Sequence, residues 1–201
     1  MKYSICVSGA AAGETVDKSR SLAEAVGLAI AKSGHILTTG ATVGIPFYVA
    51  RAAHNAGGMS IGFSPAASLK EHVNKYRLPI GMFDYINFTG LKYVGRDVYL
   101  VQSSDALIVV GGRFGSLHEF TTAIELNMPC GVLTNSGGTA DLIPLLMDRI
   151  GKTHRHMVIF DDNPEKLVKR IIGMLAEINT GIDTADLTNQ WYADNIPTRS
   201  G

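Results

Sequence analysis

Between residues 2 and 160, apart from an irregular section at 66–90, short and nearly continuous apolar runs alternate with apolar positions at helical spacing, without any internal sequence repeat. "DALIVV" at 105–110 is the clearest run. It is followed by "GGRFGS" and a helical pattern from about Ser116 to Asn127. A strand apolar on both sides has to be covered on both faces. A repeated strand–helix alternation supplies that cover with parallel strands. This one feature excludes all-helical and sandwich folds before any residue is assigned a role.

The rest of the chain follows the same rhythm. Strands are expected at 2–8, 35–40, 58–64, 129–135 and 157–160, with "DYINF" (84–88) as a further candidate. Helices are expected at 15–33, from Pro46 to about Asn55, at 68–76, 91–103, 139–150 and from Pro164 to about Ile178. Leu22, Val26, Ala29 and Ile30 set the phase of the first helix. Leu91, Val94, Val98 and Val101 are expected to share one side of the helix at 91–103. Pro46 suits a first helical turn, and Asn163 is the expected cap of the last helix. The fold class is α/β: a Rossmann-like, doubly wound, mainly parallel sheet with helices on both faces, in a single domain over 1–179. Residues 180–201 lose the periodicity and read as an irregular tail. Trp191 is expected to pack on its own domain or on a neighbouring subunit.

Composition narrows the function classes. Lys+Arg and Asp+Glu balance at 18 each, so no bulk field draws the chain to nucleic acid or a membrane. Charged residues are only 18%, which fits buried sheet or a subunit interface. No run approaches the roughly 18 apolar residues of a membrane helix, and no signal peptide is legible. A cytoplasmic location is expected. Cys6 and Cys130 lie in apolar runs and read as core residues. No His/Cys spacing suggests a metal, and no cofactor is expected. His118 and the "THRH" of 153–156 read as structural or exposed.

Three loops leave strand ends with phosphate-binding character: "SGAAAGE" (8–14), "TTGATVG" (38–44) and "GGRFGS" (111–116). In a doubly wound sheet, ligands sit beyond the carboxyl ends of the strands. Small residues there let an anion approach free backbone amides and a helix dipole. The candidate ligand contacts are Ser8, Gly9, Gly40, Gly44, Gly111, Gly112, Arg113, Gly115 and Ser116. None of the loops is a GxGxxG, and no GxxxxGK[ST] occurs.

Over residues 95–133, "GRDVYLVQSSDALIVVGGRFGSLHEFTTAIELNMPCGVL" resembles the LOG-like proteins of the SLOG superfamily, once mislabelled lysine decarboxylases. Their pattern is an Arg nine residues before the Asp of Ser-Asp-Ala, then a strand, then Pro-Gly-Gly-x-Gly-Thr-x-x-Glu. Arg96, Asp105 and the run from Gly111 to Glu119 match it. The nearer likeness is to an uncharacterised branch akin to molybdenum-cofactor carrier proteins. The resemblance implies a Rossmann-like fold and a homodimer or higher homo-oligomer. It also implies, for characterised members, hydrolysis of nucleoside 5′-monophosphates to free base and ribose 5-phosphate. Arg96 and Glu119 would then be the catalytic pair. Such a bond cleavage builds positive charge on the ribose, which a carboxylate stabilises and an arginine orients.

Three positions depart from that pattern. Arg113 stands where the family has a glycine, Asp97 where it has a lysine, and "TTGATVGIP" lacks the Gly-Gly-Gly-Ser start. Two readings stand side by side. One is a phosphoribohydrolase; the other is a non-catalytic binding or carrier protein for a nucleoside monophosphate or other phosphorylated ligand. Pyridoxal-phosphate decarboxylation is excluded, because the site-forming loops contain no lysine.

Overall fold

Every residue of Ala106–Val110 is buried, so this run needs a strand on each edge and a helix on each face. The computed structural model, which describes residues 2–181, provides both. Its elements in chain order are β1 (Ser4–Gly9), α1 (Glu14–Lys32), β2 (Ile36–Gly40), α2 (Ile45–Asn55) and β3 (Ser60–Ser64). Then come α3 (Leu69–Asn74), β4 (Tyr85–Phe88), α4 (Lys92–Gln102), β5 (Ala106–Val110) and α5 (Phe114–Glu125). The remainder is β6 (Cys130–Leu133), α6 (Gly138–Arg149), a 3-10 helix (Lys152–Met157), β7 (Val158–Asp161) and α7 (Pro164–Ile178). Asn163 caps α7, its side chain accepting from Lys166 N at 2.9 Å, and Pro46 lies in the first turn of α2.

The seven strands form one sheet in the order β4-β3-β2-β1-β5-β6-β7, and every pairing is parallel. Strand alternation divides the core into two layers. Ile5, Val7, Ile108 and Val110 pack with Val26, Ile30, Val49 and Ile171 from α1, α2 and α7. Cys6, Leu107 and Val109 pack with Leu100, Phe120, Ile124 and Ile143 from α4, α5 and α6. The chain leaves β1 in one direction as far as β4, then returns to place β5 on the other side of β1. That switch in direction splays apart the loops after β1 and β5 and opens a crevice between them.

Two elements differ from the sequence reading. Helix α5 begins at Phe114, earlier than Ser116, because Arg113 is extended and ends the loop there. Its carbonyl accepts from Thr139 Oγ1 at 2.8 Å and from Leu117 N at 3.0 Å. The inner face of α4 also differs. Arg96, Asp97, Leu100 and Val101 are the buried residues, while Leu91 and Val94 are 48% and 69% exposed. The first half of this helix covers the crevice rather than the apolar core, so its inward positions are polar. The expectation for Trp191 lies outside the described residues.

Candidate functional site

A cleft of about 390 Å³ lies over the carboxyl ends of β1 and β2, under the first turns of α4 and α5. The sequence explains its wall. On α5, Ser116, Glu119, Phe120, Ala123 and Ile124 are buried. This is an i, i+3, i+4, i+7, i+8 stripe, so Glu119 occupies a position that helical geometry turns toward the sheet. On β1, Ser8 falls on the same face as Cys6 and meets it there. Ser8 Oγ donates to Glu119 Oε2, and both residues are buried.

Arg96 and Asp97 reach the same point from α4, at 6% exposure each. Arg96 Nη2 stands 3.3 Å from Asp97 Oδ1. The tip of the guanidinium, Nη1, comes up against Gly40, where a Cβ would overlap it, so a larger residue at the end of β2 would have to push Arg96 aside. Arg96 Nε is buried and has no partner among the described residues. Asp97 lines the same wall of the cleft as Glu119. On the outer side, His118 Nδ1 stands 3.3 Å from Asp97 Oδ2, with its side chain 37% exposed.

These contacts set the charge of the wall. Burial pushes the Glu119 carboxyl up from its ordinary range to about 7. The Arg96 charge opposes that rise and the Asp97 carboxylate reinforces it. Beneath them, burial and then the Glu119 charge push the Cys6 thiol well above its usual range, so it stays a neutral thiol.

The opposite side of the cleft is backbone. Helix α5 has no side-chain cap and no acidic residue in its first turn. The amides of Phe114, Gly115 and Ser116 find no acceptor among the described residues. Three such donors at the positive end of a helix dipole form a ready anion site. Ala10, Ala11 and Ala12 face them from the loop after β1. A Cβ built on Gly13 would stand 3.8 Å from Arg113 Nη1, so that guanidinium lies near the loop after β1 at the cleft mouth.

Of the residues singled out from sequence, Ser8, Gly9, Gly40, Arg96, Arg113, Gly115, Ser116 and Glu119 line this cleft. Gly44, Gly111 and Gly112 stand behind it. Gly111 N donates to Ser136 Oγ at 2.8 Å, and its carbonyl accepts from Ala140 N at 2.8 Å. Gly112 holds φ +98° and borders a second cavity of about 300 Å³, which Leu117, Leu142 and Leu146 help to line. Thr42, Pro46, Tyr93 and Phe114 line the cleft without having been singled out as ligand contacts. Phe114 follows directly on the glycine loop, and that adjacency was the available signal. Tyr93 carried none, because its place depends on the phase of α4. Among the described residues, no three His, Cys, Asp or Glu side chains are grouped to hold a metal. No described helix is long and apolar enough to cross a membrane.

Residues 2–168 match the model of the SLOG cluster4 family. The chain belongs to that family. An uncharacterized protein of Archaeoglobus fulgidus is 32% identical over 114 residues, which is 57% of this chain and 70% of that one. The solved molybdenum cofactor binding protein of Rippkaea orientalis superposes with a TM-score of 0.70 at 27% identity. The match covers 87% of this SLOG chain and 98% of the other. The molybdenum cofactor carrier protein of Chlamydomonas reinhardtii shares the fold, with a TM-score of 0.70, 24% identity, and coverage of 88% and 99%.

Proposed function

We propose that the cleft binds a phosphorylated small molecule and holds it without breaking a bond, as a carrier or storage site. The molybdenum cofactor named for the Rippkaea orientalis protein is one ligand of this kind; a nucleoside monophosphate is another. The phosphate would lie against the amides of Gly115 and Ser116, with Arg113 closing the mouth. The aromatic rings of Phe114 and Tyr93 would flank the remainder.

The observation that carries this reading is Asp97. It pairs with Arg96 and adds its charge to the burial that keeps a proton on Glu119. Stabilising a ribosyl cation calls for an ionised carboxylate. Here one end of the guanidinium already faces Asp97, and burial pushes the Glu119 carboxyl up toward its protonated form. One observation favours a second reading. A carboxyl that titrates near 7 is suited to protonating a departing base, as a phosphoribohydrolase would require.

The test is incubation of pure protein with AMP, followed by chromatography for free adenine, alongside calorimetry and mass spectrometry of ligand retained through purification. Retained or titratable ligand with no adenine released supports the carrier. Adenine release that disappears in Glu119→Gln supports the hydrolase. A second copy of the chain belongs to the proposal, since Leu91 and Val94 on α4 and Leu126 after α5 are exposed apolar residues. A light-scattering mass near the 21.5 kDa monomer at micromolar concentration would remove it.

A further inference from the structure

We infer that the second cavity, between the starts of α5 and α6, is a subsite for the same ligand and takes an uncharged hydrocarbon arm carried on its phosphate. The ligand class is then a phosphate ester of an apolar alcohol. The inference rests on reading the first turn of α5 as the phosphate site, and it adds what lies on the far side of that phosphate.

The walls of this cavity select against charge. Leu117 from α5 and Leu142 and Leu146 from α6 line a space of about 300 Å³, at the small end of ligand cavities. Leu142 and Leu146 are one helical turn apart and share a face of α6. On another side the cavity is closed by backbone. A Cβ on Gly138 would overlap the Gly112 carbonyl and come within 3.0 Å of Thr15 Cγ2, so the loops before α5 and α6 meet α1 there. The polar groups at the start of α6 are already used. Thr139 N and Ala140 N donate to the carbonyls of Gly112 and Gly111, and Thr139 Oγ1 donates to the Arg113 carbonyl. Asp141 stands in the first turn of α6 and accepts from Gly137 N at 3.0 Å. An acid at that helix start already takes the place an anion would have. Helix α5 has no acid in its first turn. The phosphate therefore belongs on α5, and the cavity is left for an uncharged group.

Position joins the cavity to the cleft. Arg113 and Phe114 line both spaces. The start of α5 is thus the boundary between them, and a phosphate held on its amides has one side toward each. Around the cavity, Phe114 is 86% exposed and Leu142 61% exposed. These are large apolar side chains kept in water beside an apolar hollow. A hydrocarbon arm entering from the phosphate would cover both, and each methylene so buried strengthens binding by about fourfold. Among the described residues, the only charged one on the cavity wall is Arg113, the residue before Phe114, at the end where the phosphate lies.

Methyl phosphate and hexyl phosphate carry the same charge and differ only in hydrocarbon length. Calorimetric titration of the full chain with each, at one pH and one salt concentration, reads the difference. Hexyl phosphate should bind at least about thirtyfold more tightly, which needs only two or three buried methylenes at about fourfold each. Leu142→Gln puts an amide into the cavity wall at an exposed position outside the cleft lining. It should cut that gain by at least about fivefold and leave methyl phosphate affinity unchanged. Leu142→Met, of similar volume, should keep the gain. Equal affinity of wild type for the two esters overturns the inference while leaving the anion site standing. So does a gain that Leu142→Gln leaves intact, because the hydrocarbon then lies in the cleft. A third overturning result is a dimer mass by light scattering that Leu142→Gln lowers to the monomer, with no gain from the longer ester. The cavity would then be covered by a second copy of the chain. If neither ester binds at millimolar concentration, the anion site itself falls, and this inference with it. The wild-type comparison decides even where a variant does not fold.

Discussion

The loops after β1 and β5 leave neighbouring parallel strands at the same edge of the sheet, yet they contribute opposite things. The loop after β5 is rich in glycine, and its first two glycines serve the fold. Gly111 and Gly112 take φ of +57° and +98°, and their carbonyls accept from Ala140 and Thr139 at the start of α6. The loop after β1 is rich in alanine and reaches positive φ only at Gly13. Ala10 closes against α2 through Ile45 N at 2.9 Å, while Ala11 and Ala12 are exposed on the cleft. Glycine thus marks where the backbone has to bend. Exposed small residues and unbonded amides mark where a ligand can come.

Breaking that comparison requires the same substitution in each loop. Gly112→Val places a β-branched side chain at a left-handed φ, with its Cβ 2.6 Å from that of Ser116. Strain and overpacking together should cost roughly 3 kcal/mol of stability. Ala11→Val on the exposed loop should stay within about 0.5 kcal/mol yet narrow the cleft and weaken nucleotide binding. Urea denaturation of the pair is the check. Equal loss of stability in both would end the distinction.

The next largest effect belongs to Glu119, which lies between the two loops. Its carboxyl is raised in the folded state, so the native protein binds more protons than the unfolded chain between the ordinary glutamate range and about 7. Stability therefore falls as pH rises through that window. Glu119→Gln cannot ionise and should lack the slope. It should be more stable than wild type near pH 8, by on the order of 2 kcal/mol, and nearly equal near pH 5. Thermal melts across that range read the difference directly. Parallel profiles would show that Glu119 is not the group that titrates.

The fold was legible in the sequence because burial on both faces leaves a continuous apolar run, as in "DALIVV", that few other architectures tolerate. Cys6 was legible as a core residue because it lies within the apolar run of β1. Helix α4 was not. Its apolar residues Leu91 and Val94 suggested an inner face that the structure turns outward. A polar cleft beneath a helix reverses the usual rule, and one sequence gives no sign of where that cleft lies. Asp97 was visible as a charge beside Arg96. Its nearness to Glu119 and its contact with His118 depend on the register between α4 and α5, which only packing sets.

At Gly115 the β5 loop stops bending the chain and begins to face the ligand. A Cβ there meets nothing within 4 Å. Gly115→Asp should therefore fold as well as wild type, since an acid in the first turn of a helix is favoured by its dipole. The same carboxylate would stand where the phosphate belongs and repel it. A loss of at least about tenfold in AMP affinity, about 1.4 kcal/mol, is expected from calorimetry with an unchanged melting temperature. A fall in melting temperature would mean that Gly115 serves the fold, as Gly111 and Gly112 do.

Arg113 lies at the cleft mouth near both loops and should give the smallest change, because its side chain is exposed and its charge is screened. Arg113→Ala should weaken AMP binding about fivefold, about 1 kcal/mol, and the deficit should shrink as salt is raised. Stability should hardly move, since the Arg113 contacts with Thr139 and Leu117 run through its backbone carbonyl. Arg113→Gly separates the two readings of the cleft, because the hydrolytic pattern has glycine at this position. In a carrier, the glycine variant loses affinity like the alanine one and releases no base. In a hydrolase that merely tolerates the arginine, it releases adenine faster than wild type despite binding AMP more weakly. Kinetic and calorimetric measurements on the same preparation distinguish the two. An Arg113→Gly protein that binds AMP as tightly as wild type would show that the cation does not bridge the loops toward the ligand, and the anion site would then rest on the amides of α5 alone.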